Sequence, residues 1–258
     1  MEIPLFPLHT VLCPGIVMPL YIFEERYRAL TRHCLATGAP FGIVLIREGR
    51  EVGLGKALAL ASVGALVEIR EADRYPDGRY DLLAAATGRF AIESVDPERA
   101  PYLVADVTPL EDEVGDETRA ERLAATAIRR FVRYLELMRL NDGETGEALD
   151  IRVELDALPL TRTESDERER PGATPGDSDR PSGAASLAIP DDPTVLSYLL
   201  SGIVQIELPR RQHLLEAETT VARLEQLIGL LDREVFLLGR RLRCFSPDAR
   251  ILGGVRRS

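Results

Sequence analysis

The chain has 258 residues and a single lysine, Lys56, among 32 basic residues. That scarcity excludes a good deal. Ser–Lys proteolysis and Schiff-base catalysis are each confined to one position. The same lysine sits in "GLGKALAL", Gly53 to Leu60, which has the look of a phosphate-binding loop. A P-loop needs a glycine five residues before the Gly-Lys pair and a hydroxyl after it, so that backbone amides wrap the phosphates and the hydroxyl holds magnesium. Those positions are Arg50 and Ala57. A glycine-bearing turn or strand start fits the stretch better. Cysteine is equally sparse: Cys13, Cys34 and Cys244 are odd in number, widely spaced and without a C-x-x-C pair. They read as buried or free thiols in a reducing compartment. His9, His33 and His213 lack metal-ligand spacing, so no metal is expected. "ALALASVGALV", 57–67, is too short to span a bilayer. The start, "MEIPLFPL", is unlike a signal peptide. A cytoplasmic protein is expected, with no membrane contact and no cofactor.

What is present points to a real core. Hydrophobic residues make up 45% of the chain, and the formal net charge is −10. Bulk affinity for nucleic acid is therefore unfavourable. The first ~110 residues read mostly as strands: "VLCPGIVMPLYI", then 41–46, 66–70, 80–86, 89–95 and 102–107. Val67 and Ile69 alternate with Glu68 and Arg70, and Phe90 and Ile92 alternate with Arg89, Ala91 and Glu93. That period suits half-buried strands. Asp77-Gly78 is a hairpin-turn signal. One early helix is predicted, with Phe23, Tyr27, Leu30 and Cys34 on one face, Gly38 at its end and Pro40 blocking continuation. Short strands with turns between them suggest a small barrel, closed or nearly so.

The second half reads as helical. Leu123, Ala127, Phe131, Leu135 and Met138 form a stripe between about 116 and 140. Asp192 is placed to cap a helix that begins at Pro193, and Pro209 to open a short helix ending near Ala217. Val221, Leu224, Ile228, Leu231, Val235, Leu238 and Leu242 form a heptad seam. Its expected partner is another helix of the same chain. Between the helices, 161–183 holds three prolines and three glycines but no Val, Ile, Leu or aromatic residue. It is expected to be disordered, as part of an acidic insert at about 161–186.

Catalytic patterns fail when tested. A nucleophile elbow around Ser62 would need glycine where Leu60 stands. Glu24, Glu25, Arg26 and Arg28 cluster at the first helix start, where the helix dipole and a Glu24–Arg28 pair explain them. No catalytic, cofactor-binding or metal residue is assigned.

The order of motifs is more informative than any one of them. "PLFPLHTVLCPGIVMPLYIFEERYRAL" resembles the opening of the Lon protease N-terminal, substrate-binding domain family. The matching positions are Pro7, Pro14, Gly15, Pro19, Phe23, Glu24, Arg26 and Tyr27. "DGRYDLLAAATGRFAI" follows, with Asp77, Gly78, Gly88, Arg89 and Phe90, then "PYLVADV", "DDPTVLSYLL" and the heptad helix. The likeness covers most of residues 1–245 apart from the insert. It implies an α+β protein, with a PUA-like β-barrel over 1–112 followed by a helical bundle over 113–248. In 258 residues it also leads one to expect a stand-alone member without ATPase or protease domains. The function so implied is a non-catalytic module that binds unfolded or exposed protein segments or docks a partner such as a protease. Tyr21, Phe23, Tyr80 and Phe90 are its candidate peptide contacts. RNA binding is the alternative that PUA-like barrels suggest, and the net charge opposes it.

Overall fold

The structure, a computed structural model, describes residues 1–48, 59–141 and 189–245. Seven strands come first: β1 (Glu2–Leu8), β2 (Val17–Ile22), β3 (Phe41–Glu48), β4 (Ala59–Leu60), β5 (Val63–Arg74), β6 (Tyr80–Asp96) and β7 (Leu103–Leu110). They pair around a ring in the order β1, β7, β6, β5, β3, and β3 returns to β1 in parallel. β2 and β4 are attached to β6 and β3 outside that circuit, so the barrel is uneven. β1 contains Pro4 and Pro7, which lack an amide donor. Residues 2–5 pair with β7 and residues 5–8 with β3. Each proline thus stands where the strand is paired on one side, as its chemistry requires. Pro19 likewise lies in β2, which pairs with β6 alone among the described residues.

The early helix, α1 (Glu25–Thr37), buries Tyr27, Leu30, Thr31 and Cys34. Gly38 ends it in the left-handed region at φ +67°, its N–H returning to the Cys34 carbonyl. Tyr27 stacks on Phe6 with ring centroids 4.0 Å apart. Phe23 departs from the expected helical face, because the helix begins two residues later and leaves its ring 59% exposed. The expected Glu24–Arg28 pair is replaced as well. Glu24 binds Arg26 at 2.9 Å, and Arg28 binds Glu25 at 3.0 Å while donating to the Gly78 carbonyl at 2.8 Å.

Two predicted strands, 80–86 and 89–95, are one 17-residue strand. Leu66 faces Gly88 and Val67 faces Ala86, so Thr87 is an extra residue absorbed as a bulge where a turn would have broken the strand. Farther along β6, Phe90 fills the barrel centre. A β-carbon on Gly42 or Gly64 would come within 2.6 or 2.5 Å of its ring, and at Gly64 also within 2.7 Å of the Ile43 carbonyl, so the ring sits where these two glycines leave room.

The helical half comprises α2 (Glu117–Asn141), α3 (Pro193–Ile203), α4 (Leu208–Glu216) and α5 (Thr220–Phe245). Asp192 caps α3 by accepting from the Thr194 and Val195 amides. On α2 the fully buried positions are Ala120, Ala124, Ala127, Phe131, Tyr134 and Leu137, while Leu123, Leu135 and Met138 of the expected stripe sit at its margin. The alanines let α5 approach closely. The seam of α5 packs on α2 within the chain, with Leu224 and Leu231 buried and Arg130 bound to Asp232 across the pair at 2.7 Å. No helix among the described residues is long and apolar enough to cross a membrane. The Lys56 stretch, the 161–186 insert and the Cys244 side chain lie outside the described residues.

Candidate functional site

Most aromatic side chains are buried: Phe6, Tyr27, Phe41, Tyr80, Phe90, Tyr102, Phe131, Tyr134 and Tyr198. Tyr21, Phe23, Tyr75 and Phe236 are the described exceptions, and the first three share one corner. Tyr21 ends the outward-facing row of β2 (Val17, Pro19, Tyr21), whose alternate residues Met18, Leu20 and Ile22 pack inward. Phe23 follows at the entry to α1, its ring 6.0 Å from that of Tyr21. Tyr75 stands on the β5–β6 turn. That turn closes through the Gly78 N–H to the Tyr75 carbonyl, with Gly78 at φ +84°. Arg79 links the three elements. Its guanidinium lies 5.5 Å from the Tyr21 ring and 5.8 Å from the Tyr75 ring, binds Asp77 at 2.6 Å and donates to the Tyr21 hydroxyl. Arg79 is held above its ordinary ionisation range, first by the Asp77 hydrogen bond, and Asp77 is held low, first by the Arg79 amide. The Tyr75 hydroxyl donates to Asp81, which pushes Tyr75 up. The corner is thus an apolar surface with a fixed, charged frame.

Tyr80 and Phe90 do not join it. They are 4% and 0% exposed: Tyr80 packs in the cluster that includes Tyr27 and Leu30 of α1, and Phe90, beyond the Thr87 bulge, in a second cluster with Leu5 and Val107. The expectation that they line a groove is corrected accordingly. The remaining motif positions are architectural. Gly15, at φ +81°, donates to the Ala86 carbonyl and steers the chain into β2. Arg26 lies 4.3 Å over the Tyr27 ring.

Arg89 is the largest departure from the period-2 reading, which turned it to solvent. It is 3% exposed, since the helical half covers that face of β6. Its Nη1 donates to the Leu215 and Ala217 carbonyls at the end of α4, both at 2.8 Å. Arg223 of α5 reaches the same place, donating to Leu214 and to Ala217. Two guanidinium groups therefore hold the negative end of one short helix. They share a single carboxylate, Asp112, at 2.8 Å from Arg89 and 3.7 Å from Arg223. The Tyr198 hydroxyl also donates to Asp112, and its ring lies 3.7 Å beneath Arg223. Burial pushes Tyr198 up and Arg223 down. No sequence signal singles out Arg223, which occupies a seam-flanking position of a heptad helix.

A groove of about 640 Å³ runs between α4 and the end of β3, lined by Leu45, Leu208, Gln212 and two histidines, His9 and His213. Arg47 and Gln212 both bind Glu216 at its rim, each at 2.9 Å. Among the described residues no group of three His, Cys, Asp or Glu side chains is placed to hold a metal.

Similar proteins agree with this architecture. The Lon N-terminal domain protein from Xanthomonas campestris superposes with a TM-score of 0.54 at 24% identity, covering 89% of this chain and 98% of that one. The N-terminal domain of Mycobacterium avium complex Lon protease gives 0.56 at 18% identity, over 90% and 98%. In sequence, the Lon protease of Azorhizobium caulinodans is 22% identical over 237 residues, 91% of this chain and 23% of the relative. The Lon protease of Escherichia coli K12 is 24% identical over 240 residues, 92% and 25%. The chain thus spans about a quarter of the length of these relatives. Residues 2–233 match the family described as the ATP-dependent protease La (LON) substrate-binding domain, and the chain belongs to that family.

Proposed function

We propose that this chain is a non-catalytic polypeptide-binding module that holds unfolded or exposed segments of client proteins. The barrel over 1–112 presents the binding face, and the bundle over 113–248 supports it. The observation that carries the reading is the corner of Tyr21, Phe23 and Tyr75, three exposed aromatic rings where every other described aromatic side chain but Phe236 is buried. Contiguous exposed apolar surface of this kind marks interaction sites, and aromatic anchors dominate the energetics of such contacts. The family supports a substrate-recognition role of the same sort. The buried free thiols Cys13 and Cys34 accord with a reducing, cytoplasmic setting.

The test uses a permanently unfolded, carboxymethylated protein labelled for fluorescence anisotropy. Wild type binds it, and a Tyr21→Ser, Phe23→Ser double variant binds about tenfold more weakly, the loss of one to two aromatic anchors. Both side chains are exposed, so the variant keeps its melting temperature. Unchanged affinity in a folded double variant would remove this face from the reading.

A further inference from the structure

We infer that the client segments taken by this face are basic as well as apolar, an inference that rests on the polypeptide-binding reading above. It comes from the strand register. Residues paired across neighbouring antiparallel strands point to the same side of a sheet. Tyr21 of β2 pairs with Asp81 of β6, which pairs with Asp73 of β5. Pro19 pairs with Leu83, which pairs with Glu71. Val17 pairs with Ala85, which pairs with Glu68. These three rows make up the outer face, since the intervening residues Leu82 and Ala84 are buried in the core.

Read down the columns, the face has two halves. The β2 side is apolar, with Val17 and Tyr21 about half exposed. The β5 side is acidic, with Glu68, Glu71 and Asp73 all exposed and Asp81 beside them on β6. Glu68 is balanced by Arg70 at 3.5 Å. Among the described residues, Glu71, Asp73 and Asp81 have no salt-bridge partner. Of the neighbouring arginines, Arg70 is the one bound to Glu68, Arg74 pairs with Tyr80 on the other side of the sheet with its guanidinium 6.0 Å over that ring, and Arg79 is committed to Asp77 and Tyr21. The face therefore offers apolar surface to one side of a bound segment and uncompensated negative charge to the other.

A lysine or arginine side chain suits that boundary. Its methylene stem can lie on Leu83 while its head reaches the carboxylates. β2 and β5 are two strand spacings apart, about 10 Å, which about three residues of extended chain span. A segment crossing the strands therefore places an apolar residue on the β2 side and a basic one about three positions away on the β5 side. An acidic segment meets repulsion in the same place.

The experiment compares three short fluorescein-labelled peptides, each carrying leucine and phenylalanine followed three positions later by lysine, glutamine or glutamate. Wild type is expected to bind the lysine peptide about tenfold more tightly than the glutamate peptide at low salt, as two or three exposed charge pairs allow. About 0.5 M salt should erase most of that contrast. In a Glu71→Gln, Asp73→Asn variant the contrast falls to about twofold or less, and glutamine-peptide affinity is unchanged. Equal binding of lysine and glutamate peptides by wild type overturns the inference, as does a contrast that survives in the variant. Either result leaves the polypeptide-binding reading standing. Failure of all three peptides and of the unfolded protein to bind overturns both.

Discussion

Replacing Asp112 by alanine strands two buried arginines, and its cost follows from the junction geometry. Arg89 and Arg223 are 3% and 1% exposed, and Asp112 is their shared carboxylate. Removing one partner of a buried ion pair typically costs about 3–5 kcal/mol, because the other charge stays uncompensated. Two features move this case to the lower end. Asp112 is 29% exposed, and the α4 carbonyls still solvate both guanidinium groups. A loss of about 3 kcal/mol is expected, which for a chain of this size lowers the melting temperature by roughly 6–12 °C. Arg89→Met removes a guanidinium whose Nε is buried without a partner and relieves its repulsion with Arg223. It leaves the Leu215 carbonyl without its donor, a cost of about 2 kcal/mol. The two changes should then be strongly non-additive. Once Asp112 is gone, deleting Arg89 relieves a charge clash, so the double variant should be more stable than the sum of the single losses by more than about 1 kcal/mol. Urea unfolding followed by circular dichroism measures all four corners of the cycle. Additive losses, or a shift under two degrees for Asp112→Ala, would show that the cluster is not an electrostatic unit.

Stability should also fall at alkaline pH. Burial raises the Cys13 and Cys34 thiols from 9.0 to about 11, so the unfolded chain releases those protons first. The stabilisation is complete below pH 9 and is lost as pH rises through 11, by roughly 2–3 kcal/mol per thiol. Melts of Cys13→Ala and Cys34→Ala from pH 8 to 11 should show a flatter profile than wild type, and parallel profiles would rule this out. In the barrel, Gly42→Ala brings a β-carbon within 2.6 Å of the Phe90 ring and 2.8 Å of Leu5, both flexible side-chain contacts. It should cost about 1–3 kcal/mol. Adding Phe90→Leu should recover part of that loss, whereas two simply additive losses in denaturant midpoint would contradict the steric account.

Local chemistry made much of this legible. Asp192 with Pro193 started α3, Gly38 ended α1 and Asp77-Gly78 turned the β5–β6 hairpin, each because one side chain or one permissive backbone decides the conformation nearby. Alternation failed where a second layer intervened. Arg89 sits on an outward phase and would be solvated on an isolated sheet, but helices more than a hundred residues later cover it. Tyr80 and Phe90 failed as contacts for the converse reason, since aromatic character says nothing of which strand phase carries it. Phe23 depended on a helix starting two residues later than its periodicity implied. The acidic column on β5, across β6 from β2, was out of reach altogether. Glu71, Asp73 and Tyr21 are brought together only by a register that includes a bulge between Ile69 and Glu71.

The prolines of β1 bear on how the chain is made. β1 is synthesised well before its antiparallel partner β7, which lies about a hundred residues downstream, roughly 5–20 s later at ordinary rates of translation. Until then one rim of the nascent sheet has no mate. A strand in that position is an open template for any passing neighbour. Missing amide donors at Pro4 and Pro7 interrupt that template on alternate rims while leaving the final pairing intact. β1 therefore carries its own protection through the interval before the ring closes.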